Sequence, residues 1–160
     1  MPHVTDSPVR RHALAGFTLA IGLATLAVVA PVAASSLVTR GEIHAFATSS
    51  DPAIAGQATM VRTADGQTIV TVTVRGLAPD TEYHAHVHKQ ACADGFADGH
   101  YRFDPAGPAA PPNEIWPEFT TNAGGIGVGR AVVDAIAGLS AVSVVVHDPS
   151  GAKIACADLG

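Results

Sequence analysis

Apolar and polar positions alternate with a period of two through most of the chain after residue 58. Over residues 67–75, Val70, Val72 and Val74 fall on one side and Thr71 and Thr73 on the other. That is the spacing of a strand with one buried face. Residues 59–63 precede it across Ala64-Asp65-Gly66, which reads as a hairpin turn. After the turn Gly76-Leu-Ala-Pro-Asp80, alternation resumes over 83–89. Residues 119–121 and 127–133 flank Asn122-Ala-Gly-Gly125, and residues 140–147 and 153–157 flank Asp148-Pro-Ser-Gly-Ala152. Nothing after residue 40 carries a helical period over eleven or more residues. The pattern predicts an all-β domain of short strands, a Greek-key barrel or sandwich. One stretch breaks the rhythm. Residues 92–116 are rich in Gly, Pro, Ala and Asp, and about 25 residues is too long for a plain connector, so this is the expected functional loop.

The first 35 residues follow a different rule. Arg10 and Arg11 precede an almost wholly apolar run at 13–30, and Val32 and Ala34 stand where signal peptidase prefers small residues. The expectation is a signal peptide over 1–34 ahead of a domain at 35–160. A retained membrane anchor is the alternative, since about 18 apolar residues can span a bilayer, but many of these are Ala, Gly and Thr. The chain is therefore expected in the periplasm, the cell envelope or outside the cell, with membrane contact only if the leader stays. The net charge of −5 and the lack of any run of like charges argue against nucleic acid as a partner, which needs a clustered positive face. Cys92 and Cys156 are the only cysteines. In an exported chain such a pair reads first as a disulfide, closing a loop worth about 4 kcal/mol in chain-entropy terms. Two thiolate metal ligands are the other reading, and neither cysteine has a CxxC partner for it.

The histidines carry the chemistry. In Tyr83-His84-Ala85-His86-Val87-His88 three imidazoles share one face of one strand. Same-face neighbours lie about 7 Å apart at Cα, close enough for two rings to converge on one ion. A solvated strand face is seldom built from three alternating histidines. His100 stands in the long loop, and His147 ends the apolar run Val142-Ser-Val-Val-Val. With His86 and His88 they make a four-nitrogen set. Imidazole suits zinc, copper, iron and nickel alike, so spacing points to a transition metal without choosing one.

These segments carry a resemblance. His86-Val-His88, following Gly76-Leu-Ala-Pro79 and a short strand, resembles the copper-ligand strand of the copper–zinc superoxide dismutase family. His100-Tyr-Arg-Phe-Asp-Pro105 is similar to that family's segment around the histidine bridging copper and zinc. Val144-Val-Val-His147 resembles the strand bearing the last copper ligand, and Cys92 and Ala155-Cys156 resemble its two half-cystines. The similarity runs from about residue 56 to the C-terminus. It implies a Greek-key β-barrel with the metal on an outer face, roofed by the loop.

Departures from the family pattern are as informative. No histidine lies between His100 and His147, so the family's two further zinc histidines are missing. Ile115 stands where one is expected, and Glu118 stands near the zinc aspartate's place. One carboxylate and one imidazole do not make a tetrahedral zinc site. The charged loop before the second cysteine is absent, and Lys153 replaces the substrate-guiding arginine. These losses resemble the copper-only branch, which still dismutates superoxide. The resemblance thus implies copper held by His86, His88, His100 and His147, with zinc absent. It implies a proton carried by His100 to the forming peroxide, and superoxide drawn in by Lys153. Lacking zinc, the far nitrogen of His100 needs another acceptor. Glu114 is the first choice and Glu118 the second. His84 is expected to line the site without being a ligand, and His44 has no assigned role. The rival reading is an exported copper-buffering protein without turnover.

Overall fold

The computed structural model describes residues 1, 3, 35–51, 53–94 and 96–160. The expected leader at 1–34 lies outside the described residues, apart from positions 1 and 3. Eight strands carry the domain: β1 (Leu37–Ala45), β2 (Ala55–Arg62), β3 (Thr68–Arg75), β4 (Glu82–His88), β5 (Phe119–Thr120), β6 (Gly127–Val133), β7 (Ser143–His147) and β8 (Lys153–Asp158). The described residues contain no helix.

All strand pairs are antiparallel, in the order β5-β4-β7-β8-β1-β2-β3-β6. The two ends of that order meet. A turn at Asn122 and Gly125 joins β5 to β6, and Gly127 and Gly129 let β6 approach the chain at Pro117 and Phe119, where a Cβ would strike. The result is a nearly closed barrel. Strands β4 to β7 form a Greek key, because β7 returns beside β4 after the chain has passed through β5 and crossed to β6 at the far end of the order.

The alternation explains the interior. Val70, Val72 and Val74 of β3, Tyr83, Ala85 and Val87 of β4, and Val144 and Val146 of β7 are all buried in one core with Ile43, Met60 and Phe119. Since Ala85 and Val87 point inward, His84, His86 and His88 lie on the outside of the barrel. One buried cation closes an end of the structure. The Arg62 guanidinium donates to the carbonyls of Ala137 (2.7 Å) and Gly138 (3.2 Å), tying down the segment that leads into β7.

The long loop returns to the edge of β4. Strand β5 covers that edge only at Glu82 and Tyr83. Farther along, Val87 donates to the carbonyl of Ile115 and accepts from the amide of Tyr101, Lys89 donates to the carbonyl of Gly99, and His88 bridges His100. His100 is thereby placed opposite His88. The expected disulfide is present between Cys92 and Cys156, joining the loop's start to β8.

Candidate metal centre

His86 and His88 come from β4, His147 from the end of β7, and His100 from the loop segment bridged to β4. One ring nitrogen from each lies within 4.8 Å of the others. Ring centroids are 4.3 Å apart for His86–His100, 4.8 Å for His88–His100 and 4.9 Å for His86–His147.

Hydrogen bonding decides which nitrogens face inward. His88 Nδ1 donates to the carbonyl of Ala97, and His147 Nδ1 to that of Gly151 at 3.1 Å. His100 Nδ1 meets Glu114 Oε2 at 2.6 Å. An imidazole whose Nδ1–H is given to an acceptor keeps its lone pair on Nε2. Accordingly His88 Nε2 and His147 Nε2 lie 3.4 Å apart. His86 is the reverse case: its Nδ1 is buried with no partner. An orphaned buried nitrogen beside three free Nε2 atoms is the arrangement a cation would complete, since each donor lacks only an acceptor of its lone pair. The donor set fits a transition metal of the imidazole-binding group.

Electrostatics favour the same protonation state. Burial, followed by the like charge of His100 and His147, lowers the pKa of His86 to about 3. Burial likewise lowers His88 to about 3, against the opposing pull of the Ala97 carbonyl. His147 is lowered too, again chiefly by burial. At neutral pH these rings are therefore neutral, the form that binds metal. Both His86 and His88 sit far below the ordinary value of 6.5, so the unfolded chain takes up protons first as pH falls. Their contribution to stability is complete above about pH 6.5 and shrinks steadily down to about pH 3. Metal-free protein should accordingly melt at lower temperature with each step from about pH 7 to about pH 5, where ordinary carboxylates stay mostly ionised. Thermal melts in chelator check this, and a flat melting temperature over that window would contradict neutral, buried imidazoles.

Glu114 supports the centre from behind. It is 1% exposed and receives three donors: His100 Nδ1, Trp116 Nε1 at 2.8 Å and Arg102 Nε at 2.8 Å. Burial alone would raise its pKa, but the hydrogen bonds from His100, Trp116 and Arg102 together outweigh that and hold it below the ordinary range. Glu118 lies elsewhere. Its Oε1 is 2.8 Å from His84 Nδ1 and 4.0 Å from His86 Nε2, so it serves the exposed start of the β4 histidine row and not His100. Sequence reasoning missed Arg102 and Trp116. A signal for Arg102 existed, because it stands two residues from His100.

Lys153 pairs across β7–β8 with His147. Its Nζ donates to the carbonyls of Phe96 (2.8 Å) and Ala97 (3.3 Å), and Ala97 is the residue that holds His88. The lysine is thus a clamp on the loop as well as a positive charge beside the histidines. Phe96 and Ala97 have positive φ, 58° and 50°, a conformation that costs such residues free energy unless the surroundings impose it. Lys153, the disulfide and His88 supply that constraint. His84 stays outside the four-histidine group, and His44 is an exposed residue of β1 with Glu42 at 3.5 Å.

No protein-family model matches the chain, and no curated protein matches it.

Proposed function

We propose that this protein is an exported, copper-dependent superoxide dismutase that works without a zinc site. The observation that carries the proposal is the convergence of four imidazoles, three with Nδ1 tied to an acceptor and the fourth, His86, with Nδ1 buried and unpartnered. All-nitrogen ligation suits Cu(II). A bound copper would supply one-electron exchange, since superoxide can reduce its oxidised form and oxidise its reduced form.

The chain's own residues would do the rest. His86, His88 and His147 are fixed by the barrel and its adjoining turns, and would hold the metal. His100 comes from the loop. Glu114 occupies its Nδ1 side, where a zinc ion would otherwise bind, and leaves Nε2 as the atom that gains and gives a proton beside the substrate. Lys153 spends two N–H donors on loop carbonyls, and an ammonium has a third for an anion. On a body of net charge −5 that local positive charge matters. The Cys92–Cys156 bond suits an oxidising compartment outside the cytosol.

Protein exposed to both metals should retain about one copper per chain and no stoichiometric zinc. Elemental analysis tests that, and a tightly held equivalent of zinc would sink the copper-only reading. Copper-loaded protein should then remove superoxide far faster than uncatalysed decay, followed optically with chelator present. Activity no greater than free-copper controls would leave a copper-buffering protein in its place.

A further inference from the structure

The three histidines of β4 form a graded row. Their rings are nearly parallel, with centroids 6.4 Å apart at both steps and interplanar angles of 18° and 23°. Exposure falls steeply along it, from 41% for the His84 side chain to 12% for His86 and 1% for His88. The buried centre uses only the last two. The first carries its own carboxylate: Glu118 Oε1 lies 2.8 Å from His84 Nδ1 and 4.0 Å from His86 Nε2, the outward nitrogen of the half-buried ring whose Nδ1 faces the centre.

A hydrated cation meets an obstacle at the four-histidine centre. His100 keeps 30% of its side chain exposed and His86 12%, but His88 and His147 are almost sealed from solvent. An ion must therefore shed most of its water to reach the inner two ligands, a costly step. An exposed ligand pair one step away removes that obstacle by letting the ion exchange water for protein ligands one at a time. We propose that His84 and Glu118 form a transient docking station for a cupric ion, which then passes to His86 and the buried centre. The proposal rests on the copper reading of that centre. An imidazole and a carboxylate suit a divalent transition-metal ion. Two ligands bind it weakly, so it is held long enough to transfer and not to stay. No oxidation change is involved, since ligands are exchanged and the ion keeps its charge.

The molecule contains its own reporter and its own control. Trp116 is the only tryptophan, and its ring lies 5.0 Å from that of His86, so a cupric ion reaching the centre should quench its fluorescence. His44 and Glu42 form a second exposed His–Glu pair, on β1, separated from β7 by β8. Metal-free protein would be mixed with cupric sulfate in a stopped flow, and loaded protein with a chelator. His84→Ala should slow loading and removal by the same factor, about tenfold, because a local station acts through effective concentration. The final stoichiometry, the equilibrium affinity and the Cu(II) paramagnetic resonance spectrum should be unchanged. Glu118→Gln should slow both steps less, and His44→Ala should slow neither. Unchanged rates in His84→Ala would overturn the station. So would weakened affinity with an altered spectrum, which would make His84 a positioning residue for His86. A wild type that shows no tight cupric binding at all would overturn the copper reading itself, an outcome distinct from the other two.

Discussion

Replacing Glu114 with Ala should destabilise the metal-free protein by about 3 kcal/mol, the low end of the cost of breaking a buried charge pair. It should also weaken copper binding by about one to two orders of magnitude, as loss of a ligand-orienting group does. Three donors converge on this carboxylate. His100 and Arg102 retain some exposure and can turn to water, which keeps the cost at the low end. Trp116 Nε1 would lose its partner, and a donor left unpaired in a partly buried site carries its own penalty. Glu114→Gln keeps the shape and one acceptor oxygen, so it should fall between Ala and wild type in both measurements. Urea unfolding in chelator gives the first quantity and competitive copper titration the second. If Glu114→Ala unfolds within about 0.5 kcal/mol of wild type, the range of an ordinary surface change, and binds copper equally well, the carboxylate is not the support assigned to it.

The second large effect is expected at the disulfide. Removing both sulfurs as Cys92→Ala with Cys156→Ala should cost about 2–5 kcal/mol, the usual toll in a small exported domain. The loss should reach the metal as well. The loop that starts at Cys92 delivers the Ala97 carbonyl to His88 and the Phe96 and Ala97 carbonyls to Lys153. Without the crosslink, two residues of positive φ are held by those hydrogen bonds and by the packing of Phe96 on Phe46 and of Ala97 near Val145. Copper should then leave the double variant faster than wild type, while the copper-loaded variant regains part of its lost stability through mass action. Unfolding curves with and without copper, and release rates into chelator, measure both. Equal release rates would show that the loop holds its shape without the bond.

Much of this was legible because β-strand side chains keep a strict period of two. The valines of β3 and the histidines of β4 announce their faces, and the turns at Asp65-Gly66 and Asn122 to Gly125 mark where strands reverse. Strand β1 escaped notice for a physical reason. Its inward positions are Thr39, Gly41, Ile43 and Ala45, of which only Ile43 is large and apolar. Gly41 is small because the Asp158 carbonyl occupies the space a Cβ would need. One of the last strands also starts late. Strand β7 begins at Ser143 and not at residue 140, since Ala141 closes a turn onto Gly138. The four histidines could be named from spacing and family resemblance, and Glu114 as the first-choice acceptor for His100, but not the other atoms that orient the rings. Those are backbone carbonyls, at Ala97 and Gly151, and a carbonyl has no letter in the sequence. Glu114, ranked above Glu118, is the carboxylate that meets His100, and the reason is a fact of tertiary structure: the segment at Ile115 lies along the edge of β4.

The way the loop lies along β4 bears on solubility. A strand with one side open offers unpaired amides and carbonyls to any passing chain, and such edges seed aggregation. Among the described residues, the backbone hydrogen bonds on the open side of β4 past Tyr83 come from Gly99, Tyr101 and Ile115, the same segments that bring His100 and Glu114 to the histidines. Shortening this loop would therefore do more than remove a ligand. It would turn the outer margin of the histidine strand into a sticky template, so the loop's length is guarded by colloidal stability as well as by chemistry.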